Sequence, residues 1–208
     1  MPLRLKAPLT LLLTMTLAAP VTAEQALPGS INLPARVSVT GVAADDVLNV
    51  RAAPEPTAPI LAELPPDATG VEVVALSNDG AWALLPRPEG QGWASTRFLA
   101  LDPADDPAAI PFPLRCLGTE PFWSVELRED GATWEAPEEP ARALRPLGHA
   151  QSHDGFVLAY DDGGQTRDVT VMRRECSDGM SDRPYGFAAL IWNRGEEVQS
   201  GCCLLLPR

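Results

Sequence analysis

Apolar side chains recur at every second position in short runs along this chain, and Pro, Gly, Asn and Asp collect between the runs. Val37 and Val39, Leu48 and Val50, Ile60 to Leu64, Val71 and Val73, residues 82–85, and Gly92-Trp93-Ala94 follow one another in this way. A period of two with frequent turn residues predicts short β-strands that bury one face. The pattern resumes after 113, with strands expected at 123–127, 132–134, 156–160, 169–173, 187–192 and 199–206. Between them lie Glu129-Asp130-Gly131, Asp161-Asp162-Gly163-Gly164 and Asn193-Arg194-Gly195, each of hairpin-turn composition. No helical period competes with this signal. The expected fold is all-β: a small barrel, then a second antiparallel β-barrel or sandwich domain.

Breaks in the pattern divide the chain. Residues 1–23 carry Arg4 and Lys6, a Leu-rich stretch, and Val21-Thr22-Ala23. A basic start, a short apolar middle and small residues before a cleavage point predict a secretory signal peptide, too short for a membrane span. Residues 24–35 form an extended leader without periodicity, and 36–101 the first domain. Residues 102–113 are rich in Pro and Asp and read as a semi-rigid linker. The second domain runs from 114 to 208.

Charge narrows the partners. The 208 residues hold 16 basic and 28 acidic side chains, a net charge of -12 and an isoelectric point near 4.5. Removing residues 1–23 takes away Arg4 and Lys6 and no acid, leaving 14 basic against 28 acidic groups, or -14, with Arg as the remaining cation. Nucleic acid is excluded as a partner because phosphate binding needs clustered cations. An anionic membrane surface is disfavoured for the same reason, and the processed chain is not expected to be membrane-embedded.

An exported chain with four cysteines, Cys116, Cys176, Cys202 and Cys203, is expected to form disulfides in the periplasm or outside the cell. Neighbouring cysteines rarely pair with each other, so Cys176 is expected to join one of Cys202 and Cys203, and Cys116 the other. No Cys-x-x-Cys spacing or His pair points to zinc, and no cofactor is indicated.

Leu48-Asn49-Val50-Arg51, a Pro-rich turn, Ile60 with Leu64, Val71 with Val73, Trp82, and Gly92-Trp93-Ala94-Ser95 with Phe98-Leu99 together resemble the bacterial SH3-like (SH3b) family over residues 36–101. The resemblance implies a small SH3-like barrel found in exported bacterial proteins and linked with binding of cell-wall peptide or envelope proteins. The corresponding contact residues are Asn49, Arg51, Trp82 and Trp93. Against that assignment, Trp carries large apolar area, which favours placing both tryptophans in the core, and Arg51 suits a salt bridge.

In the second half, Gly118-Thr119-Glu120-Pro121-Phe122-Trp123 and Cys176-Ser177-Asp178-Gly179-Met180-Ser181-Asp182, followed by Gly201-Cys202-Cys203, resemble a family of bacterial envelope and lipoprotein domains. Such domains occur beside modules resembling lysozyme inhibitors, which implies an envelope setting and no particular activity. The loop 176–185 admits three readings. As catalysis, Cys176 or Ser177 would need His149 or His153 as base, but a cysteine in a disulfide has no thiolate to offer. As a calcium site, Asp178, Asp182 and Glu120 lack the dense spacing of a dedicated loop. As structure, Ser177, Asp178 and Ser181 bond nearby backbone, Gly179 permits the turn, and Asp182 and Arg183 pair with neighbours. The structural reading is preferred, and it allows a rigid loop offered to a partner. The functional expectation is a non-enzymatic binding or adaptor protein. The alternative, an inhibitor of a cationic wall hydrolase, gains from the acidity and loses from the position of the single Lys, Lys6, within the signal peptide.

Overall fold

A computed structural model describes residue 27 and residues 31–103, 106 and 109–208. The signal peptide expected over 1–23 lies outside the described residues. Among those described, the fold is all-β, with one short 3-10 turn at Thr96–Phe98.

The first half holds β1 (Ala35–Val39), β2 (Leu48–Arg51), β3 (Ile60–Leu64), β4 (Val71–Val73), β5 (Ala75–Leu76), β6 (Trp82–Pro86), β7 (Gln91–Ser95) and β8 (Leu99–Leu101). They make two antiparallel sheets, β4-β1-β8 and β3-β2-β7-β6-β5. The period of two in the sequence becomes one shared core: Val37, Val39, Val73 and Leu99 from the first sheet meet Leu48, Val50, Ala83, Leu85 and Ala94 from the second. The leader is tied to this core, with Leu27 buried and Ile31 and Leu33 packed against it.

The second half holds β9 (Leu114–Thr119), β10 (Phe122–Arg128), β11 (Gly131–Glu135), β12 (Arg142–Ser152), β13 (Gly155–Asp162), β14 (Gln165–Cys176), β15 (Tyr185–Asn193) and β16 (Gln199–Leu205). Each strand pairs with the next, and β16 returns to β9, so the meander closes into an eight-stranded barrel. Closure removes every sheet edge, and a barrel of this size is just wide enough to be filled by its own side chains. Val125, Leu127, Leu158, Tyr160, Val169, Val171, Phe187 and Ile191 fill it.

Two strands escaped the sequence reading. Strand β12 has a single buried residue, Leu144, so it shows no alternation, although Gly and Ser are frequent near its end, where His149 lies within it. Strand β9 buries Leu114, Cys116 and Gly118 at alternate positions, but only Leu114 among these is a large apolar residue, which leaves its period weak in the sequence.

The halves are joined by buried polar contacts. Arg36, at the start of the first domain, is fully buried. Its Nε donates to the Leu206 carbonyl at 2.7 Å, and its Nη2 donates to the carbonyls of Pro111 at 3.1 Å and Pro113 at 2.6 Å. A guanidinium taken from water needs such acceptors. Prolines 111 and 113 are therefore fastened to the first module as well as leading into the second. Glu72 on β4 accepts the Leu205 amide at 2.9 Å and faces Arg183 at 3.4 Å.

Candidate functional site

The outer face of the five-stranded sheet gathers the four contact residues expected from the sequence. Along β2, Asn49 and Arg51 alternate with the buried Leu48 and Val50, along β6 Trp82 alternates with Ala83, and along β7 Trp93 lies between Gly92 and Ala94. Arg51 and Trp93 are register partners, as are Trp93 and Leu84. This corrects the core placement favoured for the two tryptophans. Both are half-buried on the outside, and small residues take the inward positions beside them: Ala83 and Ala94 are completely buried, and a Cβ on Gly92 would run into Val50 of the neighbouring strand. Arg51 also departs from the expected salt bridge, since its Nη1 donates to the Ala58 carbonyl at 2.9 Å and holds the Pro-rich turn.

The loop 176–185 is built around one carboxylate. Asp178 Oδ1 accepts the amides of Met180 and Ser181 at 3.0 and 2.9 Å, while Oδ2 accepts the Tyr185 hydroxyl at 3.1 Å and the Ser181 hydroxyl at 3.1 Å. Burial alone would raise the Asp178 carboxyl, but these donors outweigh it and hold its pKa below the ordinary aspartate value. Burial, then the bond to Asp178, pushes the Tyr185 hydroxyl up. Gly179 takes a φ of 70°, open to it for lack of a Cβ. Ser177 accepts the Gly179 amide, Thr119 donates to the Asp178 carbonyl, and Arg183 leaves the loop for Glu72. Asp182 is exposed. The oxygens of Asp178 are thus turned onto their own loop.

Two disulfides fix this region. Cys176 joins Cys202 and binds the loop to the outside of the barrel, while Cys116 joins Cys203 across the register pair that closes it. Cys176 consequently carries no thiolate. His149 and His153 line two other cavities, away from this loop.

A third site was not foreseen. At one end of the barrel the inward positions change from apolar to polar. Following Leu144, Tyr160, Val169 and Ile191 outward by two residues gives Arg142, Asp162, Arg167 and Asn193, and Gln199 opens β16. Trp123 and Trp134 lie at the same level, stacked at 5.5 Å between ring centroids. Trp123 rests over Gly118 and Gly201, where any Cβ would enter its ring. Arg167 covers the Trp134 ring at 3.9 Å and pairs with Asp162 at 2.7 Å, both side chains almost wholly buried. Arg142 approaches Asp162 at 3.5 Å. Above this floor is a cavity of about 450 Å³, bordered by Phe122, Pro137, Glu139 and Glu196. The signal was present in the sequence: Asp161-Asp162-Gly163-Gly164 and Asn193-Arg194-Gly195 are alternate hairpins of a meander, so they share an end.

Neither protein-family models nor curated protein sequences match the chain. Among the described residues, no helix is long and apolar enough to cross a membrane. The two disulfides fit an oxidising, extracytoplasmic compartment.

Proposed function

We propose that this chain is an exported, non-catalytic binding protein of the bacterial envelope, periplasmic or secreted, whose first module contacts cell-wall peptide or an envelope protein through Asn49, Arg51, Trp82 and Trp93. The observation that carries the reading is the common outward position of these four on one sheet, with indoles half-buried where small residues fill the core. Trp and Arg supply a large share of binding energy at protein surfaces, because they combine apolar area with a polar handle. The likeness of residues 36–101 to SH3b modules supports the setting, as does the likeness of the second half to envelope domains.

The test is sedimentation of the chain lacking residues 1–23 with isolated cell-wall sacculi. The wild type is expected in the pellet, and Trp93→Ala is expected to bind about tenfold or more weakly. Wild-type protein left in the supernatant would remove the wall contact from the proposal.

A further inference from the structure

The barrel mouth holds an unusual concentration of unmet hydrogen-bonding groups. Four buried side-chain polar atoms lack a partner among the described residues: Arg142 Nε, Asn193 Oδ1, Gln199 Oε1 and Arg183 Nε. The side chains that carry the first three line the cavity at the mouth. Each unmet buried group costs stability, so three in one hollow mark a place where the fold has kept polar groups facing inward.

We propose that this mouth binds a neutral saccharide, taken one end first. The groups without partners are one donor and two acceptors, and a sugar hydroxyl can serve either kind because it both donates and accepts. Formal charge points the same way: Arg142 and Arg167 face Glu139, Asp162 and Glu196, a net charge of -1, with Asp162 already engaged by both arginines. An anionic ligand would meet that excess of carboxylate. A closed barrel offers no strand edge for an extended peptide to join, so recognition falls to side chains. The hollow, about 450 Å³, lies within the usual range for small-ligand sites. Beside it, across Phe122, runs an apolar groove of about 480 Å³ that reaches Met180. Phe122 is 55% exposed and Met180 67% exposed. The apolar face of a second sugar ring fits against that rim while the first ring sits in the mouth. This site is separate from the outer sheet of the first module, and either proposal stands without the other.

The test titrates the chain lacking residues 1–23 with N,N′-diacetylchitobiose and with cellobiose, using calorimetry and the total indole fluorescence, to which Trp123 and Trp134 contribute two of five tryptophans. A charged uronic disaccharide and a neutral tripeptide are run alongside. Binding of a neutral disaccharide is expected, about tenfold weaker in Asn193→Ala and in Gln199→Leu, and unchanged in Glu89→Gln, in the exposed turn between β6 and β7 of the first module. Gln199→Leu carries a second readout. It removes a buried acceptor that has no partner, so its Tm is expected to rise while its affinity falls. If neither neutral disaccharide binds at about 10 mM, or only the uronic sugar or the tripeptide binds, the proposal is overturned. A higher Tm for Gln199→Leu with affinity intact would also overturn it, because the unmet groups would then be a stability cost alone.

Discussion

Single residues explain the two signatures of the second half. Gly118 and Trp123 are register partners on β9 and β10, and the indole occupies the space a Cβ at Gly118 would need. Gly201 clears the same ring from β16. The Gly-Thr-Glu-Pro-Phe-Trp peptide and the Gly-Cys-Cys peptide are therefore two walls of one packing arrangement. Gly118→Ala is expected to destabilise the barrel by about 1–3 kcal/mol through overpacking, measured as a fall in the urea midpoint with the disulfides intact. Residue size misled the reading of Trp82 and Trp93. Parity along β7 assigns alternate residues to opposite faces, and the small Gly92 and Ala94 on either side of Trp93 mark the inward set. Bulk alone pointed the other way.

At the scale of elements, the hairpin compositions were legible because their chemistry is local. Strand β12 was illegible because it lies almost wholly exposed on a barrel whose other strands supply the core. The loop 176–185 was legible in kind, since Ser, Asp and Gly at close spacing bond their own backbone. What the spacing did not disclose is that Asp178 organises it and that Tyr185 returns to the same carboxylate. Asp178→Ala strands two amides and two hydroxyls. It is expected to cost about 1–3 kcal/mol and to open residues 177–184 to protease, read by mapping the first cleavage site. The donors that lower the Asp178 pKa also set a sign: this carboxylate stabilises the fold above the ordinary aspartate pKa, and the contribution is lost as the pH falls through its lowered value.

For the molecule as a whole, the distinction between barrel and sandwich was not available from the chain, because it depends on one non-local pairing, β16 with β9. The contact between modules was equally hidden, since Arg36, Glu72 and Arg183 are far apart in sequence and none belongs to an apolar pattern. Burial pushes the Glu72 carboxyl up to about 7, against the Leu205 amide, Arg183 and Arg36, which hold it down. A raised value means that this group's contribution is complete below about pH 4.5 and is lost as the pH rises through about 7. The span corresponds to about 3 kcal/mol. Glu72→Gln keeps an acceptor for the Leu205 amide without a charge, so the fall of Tm between these pH values is expected to flatten. Arg36, Arg183 and Tyr185 are the other ionisable groups around that carboxyl.

The position of β16 imposes an order on assembly. Its cysteines complete both disulfides, its amide at Leu205 meets Glu72, and the following Leu206 carbonyl receives Arg36. In a chain delivered N-terminus first to an oxidising compartment, Cys116 and Cys176 arrive before either of their partners and have only each other to oxidise with. Both native crosslinks wait for β16, so the accuracy of pairing rests on the first two thiols staying reduced, or being reshuffled, until Cys202 and Cys203 arrive.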